Sequence, residues 1–318
     1  MAAIQGISIG SSEVAGGSAE RQAVLGDARM SHITSFGAVL ALVIATVATG
    51  LITQAMQWPA AARLIFAGWR AISSEAHGGQ YADINGVRIW YETYGHGQPV
   101  LVLHGGTGSL EDMHYQIRAL AAKRLVIAVD SRGHGRSTDS AAPLSYGLMA
   151  DDMLKLLDVL NIRRADIVGW SDGGIIGLDL AMHHPDRVGR LVVIGANYDV
   201  DGLIQKPVPD GPVPPVPGFY ARNAPDPAHW PVLYRKVATL WCTEPHYSLA
   251  DLGKIKAPTL VMAGQFDVIK PEHTNQLAHA IPHAETYIIP GGTHNAVWRK
   301  PDIVDDRILA FLNAGTPR

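Results

Sequence analysis

The chain has 318 residues, 47% of them apolar and 17% charged, enough for one large α/β domain or two small ones and too apolar for wholesale disorder. A formal net charge of -3 without a basic stripe removes the electrostatic case for binding nucleic acid. The single cysteine, Cys242, forms no internal disulfide, so cysteine usage does not decide between compartments.

Residues 1–80 read as a leader, an apolar helix and a linker. The first 35 are rich in Gly, Ser and Ala without a sustained period, and 36–52, FGAVLALVIATVATGLI, run without a charge. That length is at the short edge for a membrane span and ample for the apolar region of a signal peptide. Arg21 and Arg29 precede it with Glu20 and Asp27 among them, Thr53-Gln54-Ala55 offers a small-x-small cleavage site, and Met30 is an alternative start. Three readings stand: a cleaved signal or anchor, an uncleaved anchor that also uses WPAAARLIFAGW, and a helix packed on a soluble domain. Export or membrane association through 36–52 is favoured over a cytoplasmic location.

From Tyr81 the chain reads as one folded domain, 81–318. YADINGVRIWYETYG carries an Asn-Gly turn between alternating stretches, the pattern of a hairpin. PVLVLHGG follows as a buried-type strand, SLEDMHYQIRALAAK as a helix capped by Ser109, and RLVIAVDSRGHGRS as the next strand and turn. LMADDMLKLLDVLN, ADIVGWSDGG, IIGLDLAMHHP and RLVVIGAN continue the alternation, which predicts an α/β fold with a mostly parallel central sheet flanked by helices. Residues 198–250 interrupt it with PVPDGPVPPVPG and NAPDPAHWP, too rich in proline for a central strand, and then VLYRKVATLW, which reads as a helix. This insertion is placed as a lid over the crevice at the carboxyl ends of the strands. The pattern resumes at APTLVMAGQFDVI and runs through HTNQLAHAI and AETYIIPGGTH to DIVDDRILAFLN.

The chemistry centres on Gly169-Trp170-Ser171-Asp172-Gly173, a G-x-S-x-G standing between a strand and a helix. Glycines two before and two after the serine permit a tight strand-to-helix turn that pushes Ser171 into a strained conformation with its hydroxyl on the crevice. A serine hydroxyl needs a base to take its proton, and the base needs an acid to hold its tautomer. Asp267 and His294 each end a late strand and supply both, in the order Ser, Asp, His; Asp130, after RLVIAV, is the rival for the acid. For the oxyanion, the N–H of Asp172 is one donor and Gly106 in His104-Gly105-Gly106 the second, with Gly105 or Thr107 as substitutes depending on the turn. The side chain of Asp172 either meets a substrate ammonium or favours the helix dipole from the first turn. Trp170, Tyr198, Phe219, Trp230 and Trp241 are candidates for substrate contact, the insertion's aromatics serving equally well as its own core. HGGTGS lacks the Walker lysine, GWSDGG does not match the dinucleotide fingerprint, and no HExxH is present, so neither cofactor nor metal is expected.

Taken together, LVLHGG, DSRGHGRS, GWSDGG, GQFDVIKP and GGTHNA resemble the α/β-hydrolase fold superfamily over Tyr81 to about Leu312. Within it the chain looks most like the lid-bearing serine hydrolases of the esterase, proline iminopeptidase-like and amino-acid ester hydrolase branch. The iminopeptidase-like HGG continues here as Thr107-Gly108 instead of Pro-Gly, which weakens the case for peptides. The resemblance implies a carboxylic ester hydrolase acting on a small to medium substrate through an acyl-enzyme, without a cofactor. An aminopeptidase or amino-acid ester hydrolase, a lactonase or C–C bond hydrolase, and a noncatalytic ligand-binding module on the same fold are the alternatives. Oligomeric state is left open.

Overall fold

The computed structural model of the protein describes residues 59–314. Residues 36–52, the candidate signal or anchor, lie outside the described residues; among the described ones no helix is long and apolar enough to cross a membrane.

Eight strands form a single sheet: β1 (Ala76–Ile84), β2 (Val87–Tyr94), β3 (Pro99–Leu103), β4 (Leu125–Asp130), β5 (Ala165–Trp170), β6 (Val188–Ile194), β7 (Thr259–Phe266) and β8 (Ala284–Thr293). Their spatial order is β1-β2-β4-β3-β5-β6-β7-β8; β2 runs antiparallel to both its neighbours and the rest are parallel. The helices are α1 (Pro59–Ile72), α2 (His114–Ala121), α3 (Tyr146–Val159), α4 (Asp172–His183), α5 (Gly218–Asn223), α6 (Trp230–Thr243), α7 (Leu249–Leu252), α8 (Pro271–Ala280), α9 (Ala296–Arg299) and α10 (Pro301–Asn313).

The strand sequences explain the layers. Leu101, Leu103, Ile127 and Val129 belong to the core on one face, while Val100, Val102, Val126 and Ala128 belong to the core on the other. Strands β3 to β5 are apolar at nearly every position because helices cover both faces. The hairpin turn sits at Asn85 and Gly86, both with positive φ (46° and 77°), the geometry a two-residue turn needs to follow the strand twist.

The folded unit starts earlier than Tyr81. The first strand begins at Ala76, and α1 packs on the sheet before it through Phe66, which is buried against Trp69 and Tyr94. Arg70 reaches the buried Glu92 at 2.9 Å, and Arg63 pairs with Asp112. Two aromatic residues, Phe66 and Trp69, both on Tyr94, and two arginines therefore tie an alanine-rich segment to the domain.

Between β6 and β7 the chain leaves the sheet. The proline-rich stretch takes no strand, and α6 covers the segment read as VLYRKVATLW. Trp230 and Tyr220 pack together at 5.3 Å, giving the insertion its own aromatic core.

On the opposite side, α10 presents Asp305 to α2, where Gln116 Nε2 donates to Asp305 Oδ1 at 2.6 Å. Burial, reinforced by the charges of Asp302 and Asp306, pushes the Asp305 carboxyl up to about 7. A raised folded pKa means the native state holds a proton that the unfolded state releases near pH 4. Its stabilising effect is complete below that and lost as pH rises through about 7. Asp305→Asn is expected to lessen the fall in urea midpoint between pH 5 and pH 9; an unchanged fall assigns the pH dependence to other groups.

Candidate active site

The last residue of β5 and the first of α4 are separated by one position, Ser171, whose backbone takes φ 54° and ψ −121°. A non-glycine residue there costs on the order of 1–3 kcal/mol, and the surrounding chain holds it. Its N–H donates to the Ile194 carbonyl at 2.8 Å, and its carbonyl accepts from Gly174 N–H at 2.8 Å. The flanking glycines are sterically required: a Cβ on Gly169 would lie 2.2 Å from the Gly173 carbonyl oxygen, and one on Gly173 would lie 2.4 Å from that of Leu103.

Asp267 follows β7 and His294 follows β8, so three parallel strands deliver their side chains to one end of the sheet. His294 Nε2 lies 3.0 Å from Ser171 Oγ, and His294 Nδ1 lies 2.7 Å from Asp267 Oδ1. Backbone N–H groups of Gly264 and Ile269 donate to Asp267 at 3.0 and 3.3 Å. Burial opposes the charge of Asp267, but these donors and His294 outweigh it and hold its pKa below the ordinary carboxylate value. Asp130 is engaged elsewhere: fully buried, it accepts from the N–H groups of Leu110 and Arg136 at 2.7 and 2.8 Å and pins the turn after β4.

Gly195, at the end of β6, escaped the sequence reading. Its φ is +58°, and a Cβ there would sit 3.1 Å from His294 Nδ1 and 3.2 Å from Asp267 Oδ2. The only signal was a glycine after an apolar strand.

The His104–Gly106 loop lies against Ser171 and Asp172. A Cβ on Gly105 would lie 3.1 Å from Ser171 Cβ, and one on Gly106 would lie 2.4 Å from Asp172 Oδ2. As the first residue of α4, Asp172 carries an N–H with no partner within its own helix. Its carboxylate turns inward, where Oδ1 accepts from Trp241 Nε1 at 2.8 Å and from the Tyr146 hydroxyl at 3.2 Å. Burial, the largest influence, raises its pKa despite these donors and the nearby His104 and His294.

Above Ser171 opens a cavity of about 500 Å³, lined by Asp172, Trp241, Asn197, residues 203–207, 267–269 and His294. Of the residues expected to meet substrate, Asp172 and Trp241 line it. Trp170 does not: its ring is buried on the opposite face against Trp298 at 5.0 Å, and its Nε1 donates to the His294 carbonyl at 2.9 Å. Tyr198 stacks on His273 at 3.9 Å and hydrogen-bonds Gln276. Phe219 lies under the Arg63 guanidinium, and Trp230 Nε1 donates to the Pro214 carbonyl. These three build the insertion and its seams.

A serine hydroxyl hydrogen-bonded to an imidazole that a buried carboxylate holds, at the floor of an apolar cavity, has the chemistry to attack a carbonyl carbon. Among the described residues no group of three or more His, Cys, Asp or Glu is placed to hold a metal ion.

Comparisons with known proteins agree with this fold. A model of the alpha/beta hydrolase fold matches residues 98–215. The candidate carbamate hydrolase RutD of Azorhizobium caulinodans is 31% identical over 265 residues, 74% of this chain and 97% of its own. A hydrolase from Pseudomonas aeruginosa PA01 superposes with a TM-score of 0.60 at 26% identity, over 75% of this chain and 99% of its own. The enol-lactonase of Burkholderia xenovorans LB400 superposes with a TM-score of 0.59 at 22% identity over 73% and 99%, a likeness of fold alone.

Proposed function

The chain belongs to the alpha/beta hydrolase fold family, and from that premise we propose that it is a serine hydrolase cleaving a carboxylic ester through an acyl-enzyme. The observation that carries this reading is the unbroken chain from Ser171 Oγ through His294 to Asp267 at the floor of an apolar cavity. His294 takes the proton from Ser171 as the oxygen attacks the carbonyl, and Asp267 stabilises the imidazolium that forms. The N–H groups of Asp172 and Gly106 receive the oxyanion. The alcohol leaves with the proton from His294, which then draws a proton from water as that water attacks the acyl-enzyme. As the acyl–oxygen bond breaks, His294 returns that proton to Ser171 Oγ and the free acid leaves.

A carbamate carbonyl would enter the same cycle, and the similarity to RutD supports testing it. Recognition of a substrate ammonium is less well supported, because Asp172 Oδ1 is already shared by Trp241 and Tyr146.

The test is a panel of p-nitrophenyl acetate, butyrate and octanoate, a small lactone, an aryl carbamate and an aminoacyl ester with its N-blocked twin, each against Ser171→Ala. Turnover of the simple esters that vanishes in the variant is the expected result. Turnover confined to the carbamate moves the reading to that carbonyl, and turnover that survives Ser171→Ala removes the nucleophile assignment.

A further inference from the structure

We propose that the acyl group taken by this site is a straight apolar chain that runs from Ser171 through the cavity and out over a rim formed by Ile204, Val208, Phe266 and Val268. This rests on the acyl-transfer reading above and adds the substrate class.

The charged groups lining the cavity are already engaged. Asp267 is held by His294, and Asp172 by Trp241 and Tyr146. Lys206 Nζ sits 2.7 Å from Asp201. What the walls offer in quantity is apolar: Leu203, Ile204, Pro207, Val268, Ile269 and the Trp241 ring. A charged acyl group would share Lys206 with Asp201 or meet an aspartate, whereas an alkyl chain displaces only water.

At the mouth the apolar surface continues into solvent. Of the lining residues Ile204 is 61% exposed and Val268 47%, and each of two further exposed residues adjoins a lining residue along the chain: Val208, 69% exposed, follows Pro207, and Phe266, 66% exposed, precedes Asp267. Single exposed apolar side chains are ordinary, but contiguous ones at the mouth of a cavity are not. For Ile204 and Val268 contiguity is built by the backbone. Leu203 and Ile269 form an antiparallel bridge, Ile204 N–H donates to the Val268 carbonyl at 2.9 Å, and Lys270 N–H donates to the Gly202 carbonyl at 2.8 Å. The insertion and the loop that carries Asp267 are thereby fastened side by side, and Ile204 and Val268 each face both the cavity and the rim. A chain esterified to Ser171 has this continuous apolar path along which to leave the cavity.

The test measures kcat/KM for p-nitrophenyl esters from acetate to decanoate, each below its aggregation concentration. A methylene lying on a half-covering rim contributes about half of its full burial value, so a rise of roughly twofold per methylene is expected beyond butyrate. Phe266→Ser combined with Val208→Ser, neither of which lines the cavity, should leave acetate turnover within about twofold and flatten that rise. Calorimetry on Ser171→Ala with 2-hexanone and 2-dodecanone reads the same subsite without catalysis, and the longer ketone should bind at least about tenfold tighter. If that tightening occurs while no ester is cleaved, the ester reading falls and the chain subsite stands. Ketone binding that is flat with length overturns the subsite whatever the ester panel shows. So does a series that is flat below the aggregation concentration and rises only when repeated above it, which would assign the rim to a lipid surface. Faster cleavage of a monosuccinate ester than of butyrate also overturns it, and makes Lys206 the specificity group.

Discussion

Ser171→Ala is expected to lower kcat on the best ester by about 10⁶-fold, and adding His294→Ala should cost little more. The near absence of a second penalty is the diagnostic part. His294 acts only by moving the Ser171 proton across the 3.0 Å between them, so without the hydroxyl its imidazole has no catalytic task. Asp267→Asn should retain the geometry, because the Gly264 N–H still has an acceptor, yet lower kcat by about 10⁴-fold. An asparagine whose amide donates toward Nδ1 favours the tautomer with its proton on Nε2, which cannot receive one from serine. Single-turnover kinetics with all three variants and the double variant check this. Penalties for Ser171→Ala and His294→Ala that simply add would show the two side chains acting independently, and the proposed mechanism would fail.

The three side chains of that prediction were legible because each announces itself twice, by residue type and by standing where an apolar strand stops. Gly169 and Gly173 were legible for the same reason, and the clashes a Cβ would make with the Gly173 and Leu103 carbonyls supply the physical cause. Trp170 was misplaced by sequence adjacency: a residue neighbouring Ser171 at the end of a strand points to the other face, and here it braces the His294 backbone from behind. The aromatic residues of the insertion were ambiguous because a segment that leaves the sheet needs its own apolar core. Only Trp241, on the inner side of α6, reaches the cavity. The start of the domain was obscured by the composition of α1, whose attachment rests on Phe66, Trp69, Arg63 and Arg70 among small residues. Their partners Tyr94, Asp112 and Glu92 are distant in sequence.

Pairings of that kind are where sequence patterns run out, and one of them carries the second large expectation. Arg132, in the turn after β4, donates Nε and Nη2 to the two carboxylate oxygens of Asp152 on α3, both at 2.6 Å, and both residues are buried. Asn85 of the hairpin turn adds a donor to Asp152 Oδ1 at 2.9 Å, so three separate elements meet on one carboxylate. Nothing in the local sequence selects Asp152 over Asp151; the choice is made by which helical position faces the sheet. Arg132→Ala is expected to cost about 3–5 kcal/mol, because it leaves a buried carboxylate with one neutral donor in place of a bidentate cation. Domains of this kind have roughly 5–15 kcal/mol in total, so the urea midpoint should fall by about a fifth or more. The pair itself contributes less than its rupture costs, since both charges were desolvated to form it. The double variant Arg132→Met with Asp152→Leu should therefore recover most of the loss and keep ester turnover near the native rate. If the single variant loses less than about 1 kcal/mol, water reaches Asp152 once the arginine is gone, and the three-way junction is held by packing instead of by charge.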